Sequence, residues 1–576
     1  MGLLVRPNQV VVGERLNDRL LEGRIILEPK SVEITLIPLR LVFKQILEHS
    51  NFLDVMLDNL KCLKENVDPH IIYSFTQSKL WKDKIYGREN KIIIPLFLYY
   101  DDFQVNNPLG SHAGSQKLGA VYISFGCLPP ELSSLIDNIF LASLFKTDDL
   151  NTFGNKIIFK DLIEELKFLE ISGIDLTVNN KNYKIYFSLG LIIGDNLGLH
   201  TILGFVQSFV ACYPCRFCKT YRNVCHTQIV QDDNNLRNTT NYSTDVLTNN
   251  VSITGVNELC VWNQIDSFSV TSNYSVDIMH DLLEGVCMYD LGFILKEMVF
   301  NLKYFTIETL NNKIESFNYG PIDIRNRPPL ISNENLKHGH LKMSASEMLC
   351  FTKYLGLIIG DIVPEHSELW LLYIILKKIL DLLLCKWVKK EDILLLKTLI
   401  TEHHELYLRL SHSNLKPKHH HMIHYPLIIS QSGPLSQFWC MRFEAKHKEL
   451  KETAHSITSR KNITLTLALK QQLQLSYRLL TTTKNVYSSN IDLGPIITLP
   501  QETITLYNNT ITFMSTQFDF YKDNIIFLSW IRLKGILYNT KNMSIILCLS
   551  QEHNMLPTFG KIESLFVKVG GCAEGK

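Results

Sequence analysis

Residues 417–450 read PKHHHMIHYPLIISQSGPLSQFWCMRFEAKHKEL. Four histidines (His419, His420, His421 and His424) are followed by an apolar run and then by Glu444 within FEAKH. His419 and His424 stand five apart, within the range of paired histidine ligands, and predict half of a tetrahedral metal site. His420 and His421 read as bystanders facing water. The fold depends on what this stretch re-enters, namely where the other half-site and any partner acids of Glu444 lie upstream.

The other half-site stands about two hundred residues earlier, in ACYPCRFCKTYRNVCH (211–226). Cys215-x-x-Cys218 lets two thiolates bind one Zn²⁺, with Cys212 and Cys225 as spare candidates. The partner acids end two apolar runs. KIIIPLFLYYDDF (91–103) has the length and continuous apolarity of a strand buried on both faces, and it ends at Asp101 and Asp102. KIYFSLGLIIGD (184–195) is a second such run, ending at Asp195. Carboxylates at the ends of neighbouring strands can converge on a divalent cation, which takes hard oxygen ligands. Between them, the polar loop NNPLGSHAGSQ (106–116) and the strand-like KLGAVYISFG predict a hairpin, and FKDLIEELKFLEI (159–171) predicts an amphipathic helix.

Outward from these landmarks the chain divides into five parts. Residues 1–90 read as an N-terminal helical region, from the helical spacing of Leu39, Val42, Ile46, Leu53 and Met56. Residues 91–226 hold the two acid-terminated strands and the CxxC. Residues 227–412 are mainly helical after an Asn/Thr-rich loop (228–257), and SVDIMHDLLEGVCMYDLGFILKEMV offers Glu284 as an alternative third acid to Glu444. Residues 413–485 carry the histidine pair and the third-acid helix, whose Lys446, Lys448, Lys451, Arg460 and Lys461 form a local basic patch suited to a phosphate backbone. Residues 490–576 alternate short strand-like runs with polar turns and predict a small β domain.

Composition restricts the possibilities. The 576 residues suffice for several domains, and 58 Lys+Arg against 57 Asp+Glu leave no global basic surplus, so contact with nucleic acid must come from local patches. The most apolar stretch, LWLLYIILKKILDLLLCKW from Leu369, is interrupted by Lys377, Lys378 and Asp381, which reads as a buried helix and not a membrane span. The N-terminus lacks an apolar signal-peptide core, so a reducing intracellular compartment is expected, where clustered cysteines hold metal more often than disulfides.

Taken together and in order, YYDDFQVNNPLGS (from Tyr99), IIGDNLGLHTILGF (from Ile192), YPCRFCK (from Tyr213), VDIMHDLLEGV (from Val276) and HMIHYP…GPLSQFWCMRFEAKH (from His421) make the chain resemble the transposases of the CACTA (EnSpm-like) superfamily. More distantly, it is similar to the recombinase that cuts antigen-receptor genes. The resemblance spans about residues 90–480.

It implies an α/β fold with an RNase H-like catalytic core interrupted by a large α-helical insertion. It also implies a D, D, E triad at Asp101 (or Asp102), Asp195 and Glu444 (or Glu284) holding two Mg²⁺ or Mn²⁺ ions, and a structural Zn²⁺ on Cys215, Cys218, His419 and His424. The implied activity is DNA cleavage and strand transfer at transposon terminal inverted repeats and target DNA, in the nucleus, by a homo-oligomer. One departure is that no N-terminal DNA-binding module is legible in residues 1–90. The other function class consistent with the same residues is a domesticated, non-catalytic protein that keeps the zinc-stapled fold for DNA or protein binding.

Overall fold

The computed structural model describes residues 3–481 except 22–23, 50, 66–67, 106–116 and 458–459. Beyond residue 481 it describes 491–498, 505, 525–533, 536–540, 544–547, 558–562 and 565–568. The chain forms two units, Met1–Thr481 and Thr482–Lys576. The predicted loop 106–116 lies outside the described residues.

The first unit is mixed α/β and is built on a seven-stranded sheet. Its strands are β1 (Asn8–Leu21), β2 (Arg24–Leu36), β3 (Ile92–Gln104), β4 (Lys117–Phe125), β5 (Phe140–Lys146), β6 (Ile174–Val178) and β7 (Lys181–Ile193), in the spatial order β1-β2-β5-β4-β3-β7-β6. β3, β4 and β5 form an antiparallel meander, β7 runs parallel to β3, and β6 pairs antiparallel with β7. The two acid-bearing runs are therefore neighbours in the sheet, although β3 does not end at its acids as expected but continues past Asp101 and Asp102 to Gln104. Leu96, Leu98, Tyr99, Leu191, Ile192 and Ile193 are all buried, which explains why both read as continuous apolar runs and not as alternating ones.

Residues 1–90 correct the helical expectation in part. Helices α1 (Leu39–Glu48) and α2 (Phe52–Glu65) stand where the periodicity puts them, but β1 and β2 precede them as a long antiparallel hairpin. Only the end of β2 joins the sheet, through Thr35 opposite Leu144 and Leu36 opposite Ser143. Among the described side chains of the hairpin Val11, Leu16 and Leu27 are exposed, which weakens the alternation that would have revealed it in the sequence.

After β7, helix α3 (Asn196–Leu203) leads into the cysteine-rich turn. From there to residue 432 the chain is predominantly helical, with α4 (Cys287–Lys296), α5 (Ala345–Ile359), α6 (Glu368–Leu383), α7 (Lys390–Ser411), α8 (Pro417–Met422) and α9 (Tyr425–Ser432). In α6, Leu369, Leu372, Leu376, Ile379 and Leu383 are buried, while Lys377 pairs with Asp381 at 2.5 Å on the outer face. No helix among the described residues is long and apolar enough to cross a membrane.

The Asn/Thr-rich stretch is not a loose loop. Thr239–Thr248 is a helix capped by Asn238, and the fully buried Arg237 ties it down through Asp245, the Thr254 carbonyl and the Cys215 carbonyl. Helices α10 (Met441–His455) and α11 (Ile463–Thr481) then return to the sheet. In the second unit the described stretches are mostly short antiparallel strands, among them Ile525–Leu528, Trp530–Leu533 and Ile536–Asn539, in keeping with a small β domain.

Candidate functional site

Strand register brings the first two acids together. β3 and β7 are parallel with Tyr99 opposite Ile193, so two residues further along each strand stand Asp101 and Asp195. Gly194 lets the chain pass: a Cβ there would lie 2.8 Å from the Tyr100 carbonyl oxygen. Asp195 then caps α3, accepting the Gly198 N–H at 2.5 Å, and a side chain at Gly198 would meet that carboxylate at 2.8 Å. Burial pushes the Asp195 carboxyl above its ordinary value, the Gly198 hydrogen bond opposes this, and the Asp101 charge adds to it.

Glu444 comes from the first turn of α10, which lies over the end of β3 with Phe443 stacked on Tyr99 at 4.6 Å. Its carboxyl is pushed up to about 7 by burial, with further contributions from the negative charges of Asp101, Asp277 and Glu284 and an opposing one from His280. Asp101, Asp195 and Glu444 thus belong to one electrostatic cluster. Their carboxylate oxygens do not all lie within 4.8 Å of one another.

The alternates separate clearly. Asp102, adjacent on the strand, points to the other face and pairs with Lys117 at 2.5 Å. Glu284 stays at the cluster's margin, 3.9 Å from His280 Nε2.

His280 and Asp277 were legible in the sequence only as polar residues within an apolar helix. They lie at the start of a π-helical segment, Met279–Val286, a geometry frequent at functional sites. His280 hydrogen-bonds Asp277 Oδ2 through Nδ1 and reaches Glu444 Oε1 with Nε2 at 3.2 Å. Burial works against its charge, but Asp277, Glu444 and Asp195 outweigh it and push the imidazole up to about 9.

Asp277 also accepts the backbone N–H groups of Met279, His280 and Cys440, at 3.1, 3.1 and 3.0 Å. Asp277, His280 and Cys440 are grouped closely enough to hold an ion, and the bond from the Cys440 N–H to Asp277 clamps the start of the Glu444 helix.

The second cluster is Cys215, Cys218, His420 and His424, all buried, with ligand atoms within 4.8 Å of one another. Cys215 Sγ to His424 Nε2 is 3.6 Å and Cys218 Sγ to His420 Nε2 is 3.3 Å, against an edge of about 3.5 Å for a tetrahedral Zn²⁺ with sulfur and nitrogen ligands. The Cys218 thiol is pulled well below its ordinary value, chiefly by the hydrogen bond from Cys215 and then by His420 and His424. His424 Nδ1 donates to Gln231 at 2.7 Å, which leaves Nε2 free as a ligand. The cluster can hold a metal such as zinc.

The histidine assignment is corrected: His420, not His419, joins His424. The two are four apart on adjoining helical turns, one above the other, whereas His419 is rotated away. His419 donates from Nε2 to the fully buried Asp290 at 3.0 Å and accepts the Lys416 N–H at Nδ1. Neither supposed bystander faces water, because His421 is also buried, with Nδ1 3.1 Å from Asp281 Oδ1. Of the spare thiols, Cys225 lies 3.8 Å from His420 Nε2 and Cys212 is half-exposed.

A buried polar chain joins the two clusters. Arg216, inside the CxxC, donates to Asn196 at 2.8 Å, and Asn196, next to Asp195, donates to Asp281 at 2.6 Å. Asp281 also takes the Tyr425 hydroxyl at 3.2 Å. The basic patch is thinner than expected. Lys446 is buried and paired with Glu449 at 2.8 Å, and Arg460 bonds the Val105 carbonyl, so Lys448, Lys451 and Lys461 are its exposed members.

Comparison with protein-family models finds no match for this chain, and comparison with curated proteins finds none either.

Proposed function

We propose that the chain is a DDE-type DNA transposase, or a recently inactive copy of one, in which Asp101, Asp195 and Glu444 form the catalytic triad. The reading rests on three acids from distant parts of the sequence that share one electrostatic environment: Asp101 within β3, Asp195 two residues past the end of the parallel β7, and Glu444 on the helix lying over them. An RNase H-like core is supported by the antiparallel meander β3-β4-β5 with a parallel strand beside its first member. The helical chain between residues 227 and 432 would then be an insertion before the third acid, stapled to the core by zinc on Cys215, Cys218, His420 and His424. Four protein ligands leave that zinc no open position, so its role is structural.

Mg²⁺ or Mn²⁺ held by the three carboxylates would supply activation of water or a DNA 3′-hydroxyl and stabilisation of the leaving oxygen. The protein's own part is to hold the acids together against their repulsion. Asp277 fixes the start of the Glu444 helix, and His280 keeps a proton between Asp277 and Glu444 that balances the negative charge while no metal is bound. The exposed Lys448, Lys451 and Lys461 would meet backbone phosphates. The work would be done in the nucleus, by a homo-oligomer that pairs two transposon ends.

The test is Mn²⁺-dependent nicking and joining by the purified chain of a duplex carrying the terminal inverted repeats that flank its own gene. Asp195→Ala and Glu444→Ala are expected to abolish both steps while zinc content is retained. Activity unchanged by these substitutions would sink the triad. Absence of activity in a zinc-replete wild-type chain would favour the non-catalytic binding protein.

A further inference from the structure

Asp277, His280 and Cys440 bring together a carboxylate oxygen, an imidazole nitrogen and a thiol sulfur, all within 4.8 Å of one another. Asp277 and His280 are three apart where the chain enters the π-helical segment Met279–Val286, so their side chains share a face. A carboxylate and an imidazole at this spacing is a pair that helical metal sites use. Cys440 immediately precedes α10, and its N–H bond to Asp277 Oδ1 at 3.0 Å holds it against the pair.

The three groups are fixed in place. Asp277 and Cys440 are fully buried, while 22% of the His280 side chain is exposed, which gives an ion a way in. Asp277 Oδ1 accepts the N–H groups of Met279 and Cys440, and Oδ2 accepts the His280 backbone N–H and faces His280 Nδ1 in a hydrogen bond. Bonds of this kind hold a ligating carboxylate in one orientation. On the other edge of the ring, His280 Nε2 faces Glu444 Oε1 at 3.2 Å and Glu284 Oε2 at 3.9 Å. A carboxylate beside the second nitrogen is the usual outer support of a ligating imidazole.

We propose that Asp277, His280 and Cys440 form a second metal site, for a transition-metal ion of the Zn²⁺ or Co²⁺ class. This goes beyond the transposase reading, because it does not depend on the three acids sharing an ion. Thiolate and imidazole ligands select such an ion over Mg²⁺ or Mn²⁺, which favour oxygen. On binding, the Cys440 thiol proton and the proton between His280 Nδ1 and Asp277 Oδ2 pass to water, and the ion takes their place. Three protein ligands leave a fourth position for water, so this site exchanges its ion more readily than the closed knot of four. The bound ion ties the π-helical segment to the start of the Glu444 helix.

The experiment is Co²⁺ titration of the full chain, washed with a weak chelator and shown by elemental analysis to keep the zinc of the knot. A thiolate bound to Co²⁺ absorbs strongly in the near ultraviolet, and with the knot filled by zinc that absorption reports a thiolate elsewhere. Wild type, Cys440→Ser, His280→Gln and Asp195→Ala are compared, with thermal melting of each. His280→Gln, at a partly exposed side chain, serves if Cys440→Ser does not fold.

The expected result is one Co²⁺ per chain with the thiolate absorption in wild type, displaced by Zn²⁺ and not by Mg²⁺. The absorption is lost in Cys440→Ser, binding is about tenfold weaker or more in His280→Gln, and Asp195→Ala binds as wild type does. Wild type without the absorption would overturn the proposal, as would absorption retained in Cys440→Ser or wild-type affinity in His280→Gln. Zinc released as the absorption rises would place the cobalt in the knot, and loss of binding in Asp195→Ala would place it among the acids; either overturns the site. None of these outcomes decides whether the chain cuts DNA, which the nicking assay tests separately.

Discussion

The Cys/His knot and the carboxylate cluster are built from adjoining segments, Asp195–Cys218 and His420–His447, yet they are balanced in opposite ways. Around the knot, buried charges have partners: Asp281 is held below its ordinary value by His421, Arg216 and Asn196 against the effect of burial, and Asp290 likewise by His419 and His403. In the acid cluster the charges are alike. Burial and repulsion raise Asp195 and Glu444, with one imidazole in opposition. A closed set of four ligands adds to stability, whereas crowded acids cost stability until a cation arrives. The contrast separates a cluster whose buried charges are paired from one whose charges are alike.

The largest effect tests the knot. His420→Ala or Cys215→Ser should abolish zinc binding, measured by elemental analysis, and lower Tm by about 10 °C or more, because the metal's binding energy is part of the folding energy. His419→Ala should keep its zinc, yet lose about 3 kcal/mol in denaturant unfolding, because Asp290 would remain buried with one partner fewer. Zinc retained in His420→Ala and lost in His419→Ala would reverse the ligand assignment.

A smaller effect tests the imbalance of the acids. Glu444 holds its proton up to about pH 7 in the folded chain, against an ordinary value of 4.5. Between those values the folded state binds more protons than the unfolded one, so the metal-free protein loses stability as pH rises from about 4.5 to about 7. Glu444→Gln should remove that loss. It is expected to be more stable than wild type at pH 8 by on the order of 1 kcal/mol, and indistinguishable from it near pH 4, in metal-free thermal melts. A destabilised Glu444→Gln at pH 8 would show that the acids are not in conflict.

The smallest effect is expected at Asp102. Its carboxylate pairs with the half-exposed Lys117 on the opposite face of the strand, so Asp102→Asn should change stability by less than about 1 kcal/mol and leave Mn²⁺ affinity near wild type. Loss of Mn²⁺ binding would make Asp102 the first acid.

Several features were open to reading in the chain itself. Continuous apolar runs ending in aspartate gave the two central strands, because strands covered on both faces need apolar residues at every position. Cys215-x-x-Cys218 was legible because two ligands of one ion must be close, and a short turn brings them close without help from the rest of the fold. The N-terminal hairpin was not legible, since among its described side chains the apolar Val11, Leu16 and Leu27 are exposed. Nor was the burial of Lys446, whose position on α10 faces inward and is made tolerable by Glu449.

What the sequence determined by itself is therefore chemistry confined to one segment: acids at strand ends, a thiolate pair, and a histidine-rich turn before a helix with a lone glutamate. The tertiary structure decided which of two neighbours faces which partner. It set His420 against His419, Asp101 against Asp102, and His280 beside the acids. The physical reason is phase. One residue along a strand reverses its face and one along a helix rotates it by about 100°, and that phase is set by packing against segments a hundred or more residues away.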